Sequence, residues 1–285
     1  MNLPLSDIRV LDLTWVVSGP QASRLLADFG AEILKIERPT VGDPVRANHG
    51  MFVYFNRNKK AIQIDLNDPE GLNTFKELLL ISDVVMENFS SGIMARWGLD
   101  YLGLSKINPT IVYLSMPGFG HDGPYKTYQS NGPTIQAISG QTYICGDPDL
   151  GPAGWGYSYM DHTAGYLGAS AVLQALYHRN NTGEGQFIDL AQYEAATSLM
   201  GTYLLDYDVN GKDNATTLNR TANKGVNPAA APQGAYEGKT PDTWIALSIT
   251  TDQHWESLTH ILKSDVSGQQ IMTLKHILIY ILENI

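Results

Sequence analysis

Asp161 is the carboxylate whose setting first suggests chemistry. It follows a loop rich in Gly, Tyr and Trp and precedes a run of small and apolar residues, from about Thr163 to Tyr177, that reads as a helix. Two roles suit such a position. As a helix N-cap, Asp161 would accept the backbone N–H of Thr163 or Ala164. As a carboxylate nucleophile, it would draw on the positive end of the helix dipole, which stabilises negative charge. Basic residues are scarce in this chain, so their placement carries information. Arg38 ends Lys35-Ile36-Glu37-Arg38 just after a predicted strand, Arg96 follows Glu87-Asn88-Phe89 in a predicted crossover, and Lys59 and Lys60 precede another strand. In an open parallel sheet, ligands bind beyond the carboxyl ends of the strands. There Arg38 and Arg96 would grip phosphates through paired guanidinium hydrogen bonds. The same spacing suits two ordinary solvated arginines.

Other constellations carry less. Gly118-Phe119-Gly120-His121-Asp122-Gly123 spells G-x-G-x-x-G after a strand, but Pro124-Tyr125-Lys126-Thr127-Tyr128 follows instead of a helix. A dinucleotide fingerprint needs that helix to meet the pyrophosphate, so the segment reads as a glycine-rich turn. The seven histidines are scattered, with no H-x-x-x-H pair beside an acid, and Cys145 is the sole cysteine. No metal site and no internal disulfide are expected.

The elements that must position these residues alternate. Arg9–Thr14 reads as a strand; after Ser18-Gly19-Pro20, residues Ala22, Leu25, Leu26 and Phe29 recur at helical spacing, and Ile33–Ile36 returns as a strand. Ile62, Ile64 and Leu66 alternate as a strand, Asp68-Pro69 opens a helix, and Val84–Met86 is the next strand. A short helix over Ile93–Trp97, strands over Ile111–Met116 and Gln186–Leu190, and a helix from about Tyr193 to Leu205 complete the pattern. This is the signature of an α/β fold with a Rossmann-like, doubly wound parallel sheet. Residues 1–205 are expected to form one large domain, 206–227 a polar linker, and 228–285 the start of a small α+β domain. In that last part a strand runs over Trp244–Ile249 and Thr251 caps a helix bearing Trp255, Leu258 and Ile261.

Composition bounds the partners. Among 285 residues, 19 are basic and 29 acidic, a net charge of −10. Nucleic acid is therefore not an expected partner, since binding it needs a basic face. The longest aliphatic–aromatic run, Ile277–Leu282, falls far short of the ~18 residues that span a bilayer. With no secretion signal at Met1–Asp7, the cytoplasm is the expected location, although an organellar protein trimmed of its transit peptide would read the same.

Taken together, these pieces resemble the class III CoA-transferase family. The resemblance runs from about Ile8 to Leu262. It rests on Val10-Leu11-Asp12-Leu13 leading to Gly19-Pro20, Gly30-Ala31-Glu32 with Lys35-Ile36-Glu37-Arg38, Gly42-Asp43-Pro44-Val45-Arg46, and Asn56-Arg57-Asn58-Lys59-Lys60 with Asp65-Leu66. Glu87-Asn88-Phe89, Pro117-Gly118-Phe119-Gly120 with Gly123-Pro124, Asp161 with Gly165, and Thr182-Gly183-Glu184-Gly185-Gln186 complete it.

The resemblance implies that Asp161 attacks an acyl-CoA thioester, and that CoA passes to a free carboxylic acid through aspartyl intermediates without ATP, metal or a permanently bound cofactor. Backbone N–H groups of the Gly151–Gly156 loop are one source of oxyanion donors. The positions matching the family's CoA contacts are Val17, Ser18, Arg38, Ile64, Asp65, Leu66, Asn67, Asn88, Phe89, Ser90, Arg96, Tyr128, Gln129, Ser130 and Asn131. Acyl-CoA and small carboxylic acids are the implied partners, with dicarboxylates such as succinate among the donors as their CoA esters, and the family's chains form homodimers of interlocked rings.

Two alternatives belong to the same resemblance. One is an α-methylacyl-CoA racemase, whose histidine base falls on Asn131 here; asparagine takes up no proton at neutral pH. The other is a CoA-binding chain without turnover, because the small domain has barely begun where the sequence stops. The last twenty or so residues do not resemble the family, and Ser264–Ile285 is expected to be poorly anchored.

Overall fold

Successive side chains of a strand point to opposite faces of its sheet, and in this chain both faces of the central strands are apolar. The computed structural model, which describes residues 3–146, 151–211, 232–238 and 240–265, shows what that pattern builds. Strands β1 (Arg9–Asp12), β2 (Glu32–Glu37), β3 (Lys59–Gln63), β4 (Val84–Glu87), β5 (Val112–Ser115) and β6 (Gln186–Asp189) form one parallel sheet in the order β3-β2-β1-β4-β5-β6. Val10 lies opposite both Ile33 and Val84, and Val84 opposite Val112. The α/β doubly wound architecture expected from the alternation is present.

The helices are α1 (Ser18–Asp28), α2 (His49–Asn56), α3 (Pro69–Leu80), α4 (Tyr101–Ile107), α5 (Gly132–Ile138), α6 (Gln141–Ile144), α7 (Tyr159–Thr182), α8 (Gln192–Ser198), α9 (Gly201–Asn210) and α10 (Asp252–Asp265). On one face of the sheet Val10, Ile33, Val84, Met86, Val112 and Leu114 are buried against α1 and α7 through Ala22, Leu26, Ala164, Val172 and Leu176. On the other, Leu11, Val85 and Tyr113 are buried against Phe75 and Leu79 of α3 and Leu104 of α4. Each such aliphatic side chain taken fully out of water contributes about 1.5–3 kcal/mol. Gly165 lets α7 lie directly on α1, because a Cβ there would sit 2.5 Å from Cγ of Gln21 and 2.9 Å from the Ser18 carbonyl oxygen.

The chain divides into two compact units, Met1–Thr142 with Gly154–Leu204, and Tyr143–Ala153 with Leu205–Ile285. In the second, β7 (Gln233–Glu237) and β8 (Trp244–Ser248) pair antiparallel, and Leu258 of α10 is buried with Ile245, Leu247 and Ile249. Thr251 caps α10 as expected, its hydroxyl accepting the His254 N–H at 3.2 Å.

Several boundaries differ from the sequence reading. The strand expected over Ile62–Leu66 is Lys59–Gln63 instead; Ile64 N–H still bonds the Glu37 carbonyl, but β2 ends there and offers no further partner. The long helix starts at Tyr159, four residues before Thr163, with Ser158 at its N-cap position. The helix expected over Tyr193–Leu205 is broken into α8 and α9, and α9 carries through to Asn210, inside the expected linker. Most of that linker, residues 212–227, and most of the tail, residues 266–285, lie outside the described residues.

Candidate active site

A buried ionic lattice ties Asp12 at the carboxyl end of β1 to Lys35 within β2 and Lys59 at the start of β3. Lys59 Nζ meets Asp12 Oδ2 at 3.1 Å and also donates to Ser23 Oγ at 2.8 Å and Asn56 Oδ1 at 3.0 Å. Lys35 Nζ donates to the Thr14 carbonyl at 2.7 Å and pairs with Asp43 Oδ2 at 3.1 Å. Burial alone would raise the Asp12 carboxyl, but Lys59 and Lys35, with the Ser23 and Thr14 hydroxyls, pull it down to about 2. Lys59 and Lys35 are thus spent on ties to β1 and the segments that follow β1 and β2 rather than left for a ligand.

Above this lattice opens a cavity of about 510 Å³ whose wall comes from the segments that leave the strands. It is sited where the strand order reverses, between β1 and β4, the switch point at which open α/β sheets bind ligands. Asn88, after β4, locks the segment after β1. Its Oδ1 accepts the Trp15 N–H at 2.8 Å, its Nδ2 donates to the Trp15 carbonyl at 2.8 Å, and the same Nδ2 reaches Ser18 Oγ at 3.1 Å. Val16, next in the wall, has φ 66, a left-handed conformation costly for a β-branched residue, and its N–H is held by Asp43 Oδ1 at 3.2 Å. From there Val17 and Ser18, both in the cavity wall, lead into α1, whose start carries no side-chain cap.

Of the residues singled out from sequence, Val17, Ser18, Arg38, Ile64, Asp65, Leu66, Asn67, Asn88, Phe89, Ser90, Tyr128, Ser130, Asn131 and Asp161 all line this one cavity. Arg96 and Gln129 do not; Arg96 is exposed on the 3-10 turn Met94–Trp97, between Ile93 and Trp97, which do. Arg38 is exposed too, with no carboxylate within ion-pair distance among the described residues. The N–H and amide of Asn67, and the charge of Arg38, hold the Asp65 carboxyl below its ordinary range. Gly154–Gly156, the part of the glycine-rich loop in the first unit, contributes nothing to the lining.

The structure adds residues the sequence reading passed over. Trp15, Phe89 and Trp97 form an edge-to-face row, with centroids 5.9 and 6.4 Å apart, and Trp97 Nε1 donates to Asn67 Oδ1 at 3.0 Å. Gln192 closes the floor, its Nε2 donating to Ser18 Oγ at 3.1 Å and to the Met116 carbonyl at 3.2 Å. The tryptophans were legible as aromatic neighbours of Ser18 and Arg96; nothing local in the sequence marks Gln192, which lies 174 positions from its partner.

Asp161 does not cap the helix, as the sequence allowed it to. It is the third residue of α7, within the first turn, and Ser158 holds the N-cap position and bonds to the Asp161 carboxylate through its hydroxyl. Burial pushes the Asp161 carboxyl up to about 6, with Ser158 pulling the other way. Its Oδ2 lies against the backbone of Gly132 so closely that a Cβ at that position would overlap it. Asn131, one residue earlier, caps α5: its Oδ1 accepts the Thr134 N–H at 3.0 Å and the Thr134 hydroxyl at 2.8 Å.

Residues 5–274 match the profile of CoA-transferase family III, twelve positions beyond Leu262, where the motif resemblance ends. The chain is 34 % identical over 290 residues to the succinyl-CoA–L-malate CoA-transferase beta subunit of Chloroflexus aurantiacus, covering 96 % of this chain and 70 % of that one. It is 35 % identical over 272 residues to an alpha subunit of the same name, covering 92 % of this chain and 58 % of that one. To the succinate–glutarate CoA-transferase of Agrobacterium fabrum it is 35 % identical over 273 residues, covering 91 % and 66 %. Among solved structures, a CAIB/BAIF family protein from Brucella suis superposes with a TM-score of 0.84 at 30 % identity, over 92 % of this chain and 70 % of that one. The chain thus spans about two thirds of the length of the curated relatives it matches.

Proposed function

The chain belongs to CoA-transferase family III, and from that premise we propose that it moves CoA from an acyl-CoA to a free carboxylic acid, with Asp161 as the covalent nucleophile. One observation carries the reading: a desolvated carboxylate in the first turn of a 24-residue helix, facing a cavity built at the switch point of a parallel sheet. Water removed from Asp161 cannot blunt its nucleophilicity, and the first-turn N–H groups of α7 stabilise its anion.

In this mechanism Asp161 attacks the thioester carbonyl. The C–S bond breaks, CoA leaves as thiolate, and an acyl-aspartyl anhydride forms. The thiolate then attacks the aspartyl carbonyl, releasing the donor acid and leaving an aspartyl-CoA thioester. The acceptor carboxylate attacks that thioester and expels the thiolate, which finally takes the acyl group of the acceptor and restores Asp161. Each step exchanges one carboxylate or thiolate for another, so the thioester's energy is retained. Arg38 and the start of α1 would receive CoA phosphates, and the Trp15–Phe89–Trp97 row would face the base, since aromatic rings favour stacked or edge contacts with one another. The names of the relatives, which pair succinyl-CoA with L-malate and succinate with glutarate, favour dicarboxylates as substrates. A second copy of the chain belongs to this reading, as the resemblance implies, and light scattering at micromolar concentration tests it.

Asn131 lines the cavity, but its amide oxygen is committed to capping α5, so it supplies no base opposite Asp161. The test follows from that. Radiolabelled glutarate or malate added with unlabelled succinyl-CoA is expected to enter the thioester pool, and Asp161→Asn to abolish the transfer while the fold persists. In heavy water, a 2-methylacyl-CoA is expected to gain no enzyme-dependent deuterium at its α-carbon. Rapid α-deuteration that vanishes in Asp161→Asn would make Asp161 a base and overturn the transferase reading.

A further inference from the structure

Behind the cavity wall, a second polar cluster joins the carboxyl ends of β4 and β5 and takes no part in the chemistry above. Glu87 is 2 % exposed and Ser115 fully buried. One carboxylate oxygen of Glu87 accepts the Phe89 N–H at 2.6 Å; the other accepts the Tyr113 hydroxyl at 2.9 Å and is in close hydrogen-bond contact with Ser115 Oγ. Ser115 Oγ in turn lies 2.7 Å from His121 Nε2, and His121 Nδ1 lies 3.0 Å from Ser91 Oγ. The ring of His121 is set by its backbone, whose N–H donates to Asp189 Oδ2 at 2.9 Å, and by edge contact with Phe187. The chain of bonds therefore leaves the 88–91 loop at Ser91 and returns to it at Phe89. Ser90 lies between those two attachments and Asn88 next to them, and with Phe89 they are three residues of the cavity wall.

We propose that His121 is a positioning residue for this cavity: with Ser115 and Glu87 it closes a hydrogen-bonded circuit that holds the 88–91 loop, and the circuit reverses its polarity when Glu87 takes up a proton.

The proton count allows both directions without an unpaired group. With Glu87 ionised, Ser115 donates to the carboxylate, His121 donates from Nε2 to Ser115, and Ser91 donates to Nδ1. With Glu87 protonated, its O–H donates to Ser115, Ser115 donates to Nε2, and the imidazole proton moves to Nδ1 and is donated to Ser91. One proton is gained at Glu87, the imidazole carries a single proton in both arrangements, and the Ser91 hydroxyl is released from His121 to point elsewhere, beside Ser90. Burial pushes Glu87 up to about 7 against the pull of Ser115, the Phe89 N–H and Tyr113, which sets the reversal near neutral pH. The other charged and titratable groups facing the circuit are Tyr113 on β5, Asp189 on β6 and Asp100, which acts on Tyr113.

The circuit stands apart from the CoA reading; only its effect on affinity rests on it. Nitrogen NMR of the ligand-free protein is expected to show His121 as the Nε2–H tautomer at about pH 8.5, with the Nδ1–H tautomer growing in as pH falls through the Glu87 transition at about 7. In Glu87→Gln, which keeps the shape and cannot ionise, the tautomer should stay fixed across the same range. In turnover with succinyl-CoA and glutarate, His121→Ala is expected to raise KM for the thioester about tenfold with kcat within about twofold, the loss of one or two loop hydrogen bonds. His121→Gln, which retains a donor and an acceptor, should recover most of that and remove the pH dependence of KM. A tautomer that does not change with pH, or changes identically in Glu87→Gln, overturns the proposal, as does a folded His121→Ala with unaltered KM. A tautomer switch in a protein that neither binds nor turns over CoA would uphold the circuit and count against the CoA reading instead.

Discussion

At Asp161, burial and the Ser158 hydroxyl act in opposite directions on one proton, and the balance has two measurable consequences. The carboxyl is pushed from its ordinary 3.8 up to about 6 in the fold. A carboxylic acid raised in the native state binds its proton more tightly there than in the unfolded chain, so stability falls as pH climbs from about 4 to about 6 and stays lower above that range. Asp161→Asn removes the penalty. Its thermal midpoint should match wild type below about pH 4 and rise above it beyond about pH 6; a gap that is constant with pH would contradict the linkage. The transfer rate should fall on the acid side with an apparent pKa near 6, because only the anion attacks. Arg38 poses a different problem. It lines the cavity without an ion-pair partner among the described residues, in a chain of net charge −10. Arg38→Ala should weaken CoA binding by about tenfold or more, the loss of a charge-assisted hydrogen bond. Calorimetry reading the same affinity for both proteins would remove Arg38 from the site.

Between elements, the decisive contact is α1 on α7. Both helices start at the cavity, one bringing Ser18 and the other Asp161, so their separation sets the distance between the helix start proposed for phosphates and the nucleophile. Gly165 makes that separation small. A methyl group there would meet Cβ and Cγ of Gln21 at 2.7 and 2.5 Å and the Ser18 carbonyl oxygen at 2.9 Å, and the carbonyl belongs to helical backbone that cannot swing aside. Gly165→Ala should therefore cost about 1–3 kcal/mol by overpacking, seen as a lower denaturation midpoint. It should also slow transfer more than it weakens CoA binding, because a displaced nucleophile loses alignment before the phosphate contacts are lost. Equal losses in both would show that the helix pair acts only as a support. The ionic lattice among β1, β2 and β3 does similar positioning work: Asp12, Lys35 and Lys59 are each satisfied by a group from another segment.

Across the whole molecule, the excess of acidic residues disfavours anionic ligands in general, so two-carboxylate substrates call for a local attraction that offsets it. If dicarboxylates are the substrates, as the relatives' names favour, a panel of free acids against succinyl-CoA should rank glutarate and malate well above monocarboxylates of equal chain length, with the preference shrinking as salt screens the second carboxylate. A flat ranking would break the link to those relatives. The sequence alone determined the alternation of strand and helix, and with it the parallel sheet, because both signals are local: Val10 and Leu11 are apolar on both faces, and Asp68-Pro69 opens a helix wherever it occurs. It also marked Arg38, just past a strand, and Asp161, near the start of a helix of small residues, while the Asn88–Ser90 segment was marked by the family resemblance. Boundaries set by partners were beyond it. Lys59, at the start of β3, is paired with Asp12, 47 positions away, and the strand stops at Gln63, opposite Glu37 where β2 ends. That Asp161 lies inside the first turn rather than at the cap, that Arg96 stays off the cavity while Gln192 enters it, and that Glu87 reaches Ser91 through His121 are outcomes of packing between segments far apart in the chain. Local propensity carries no record of such distances; only the folded arrangement of the six strands decides them.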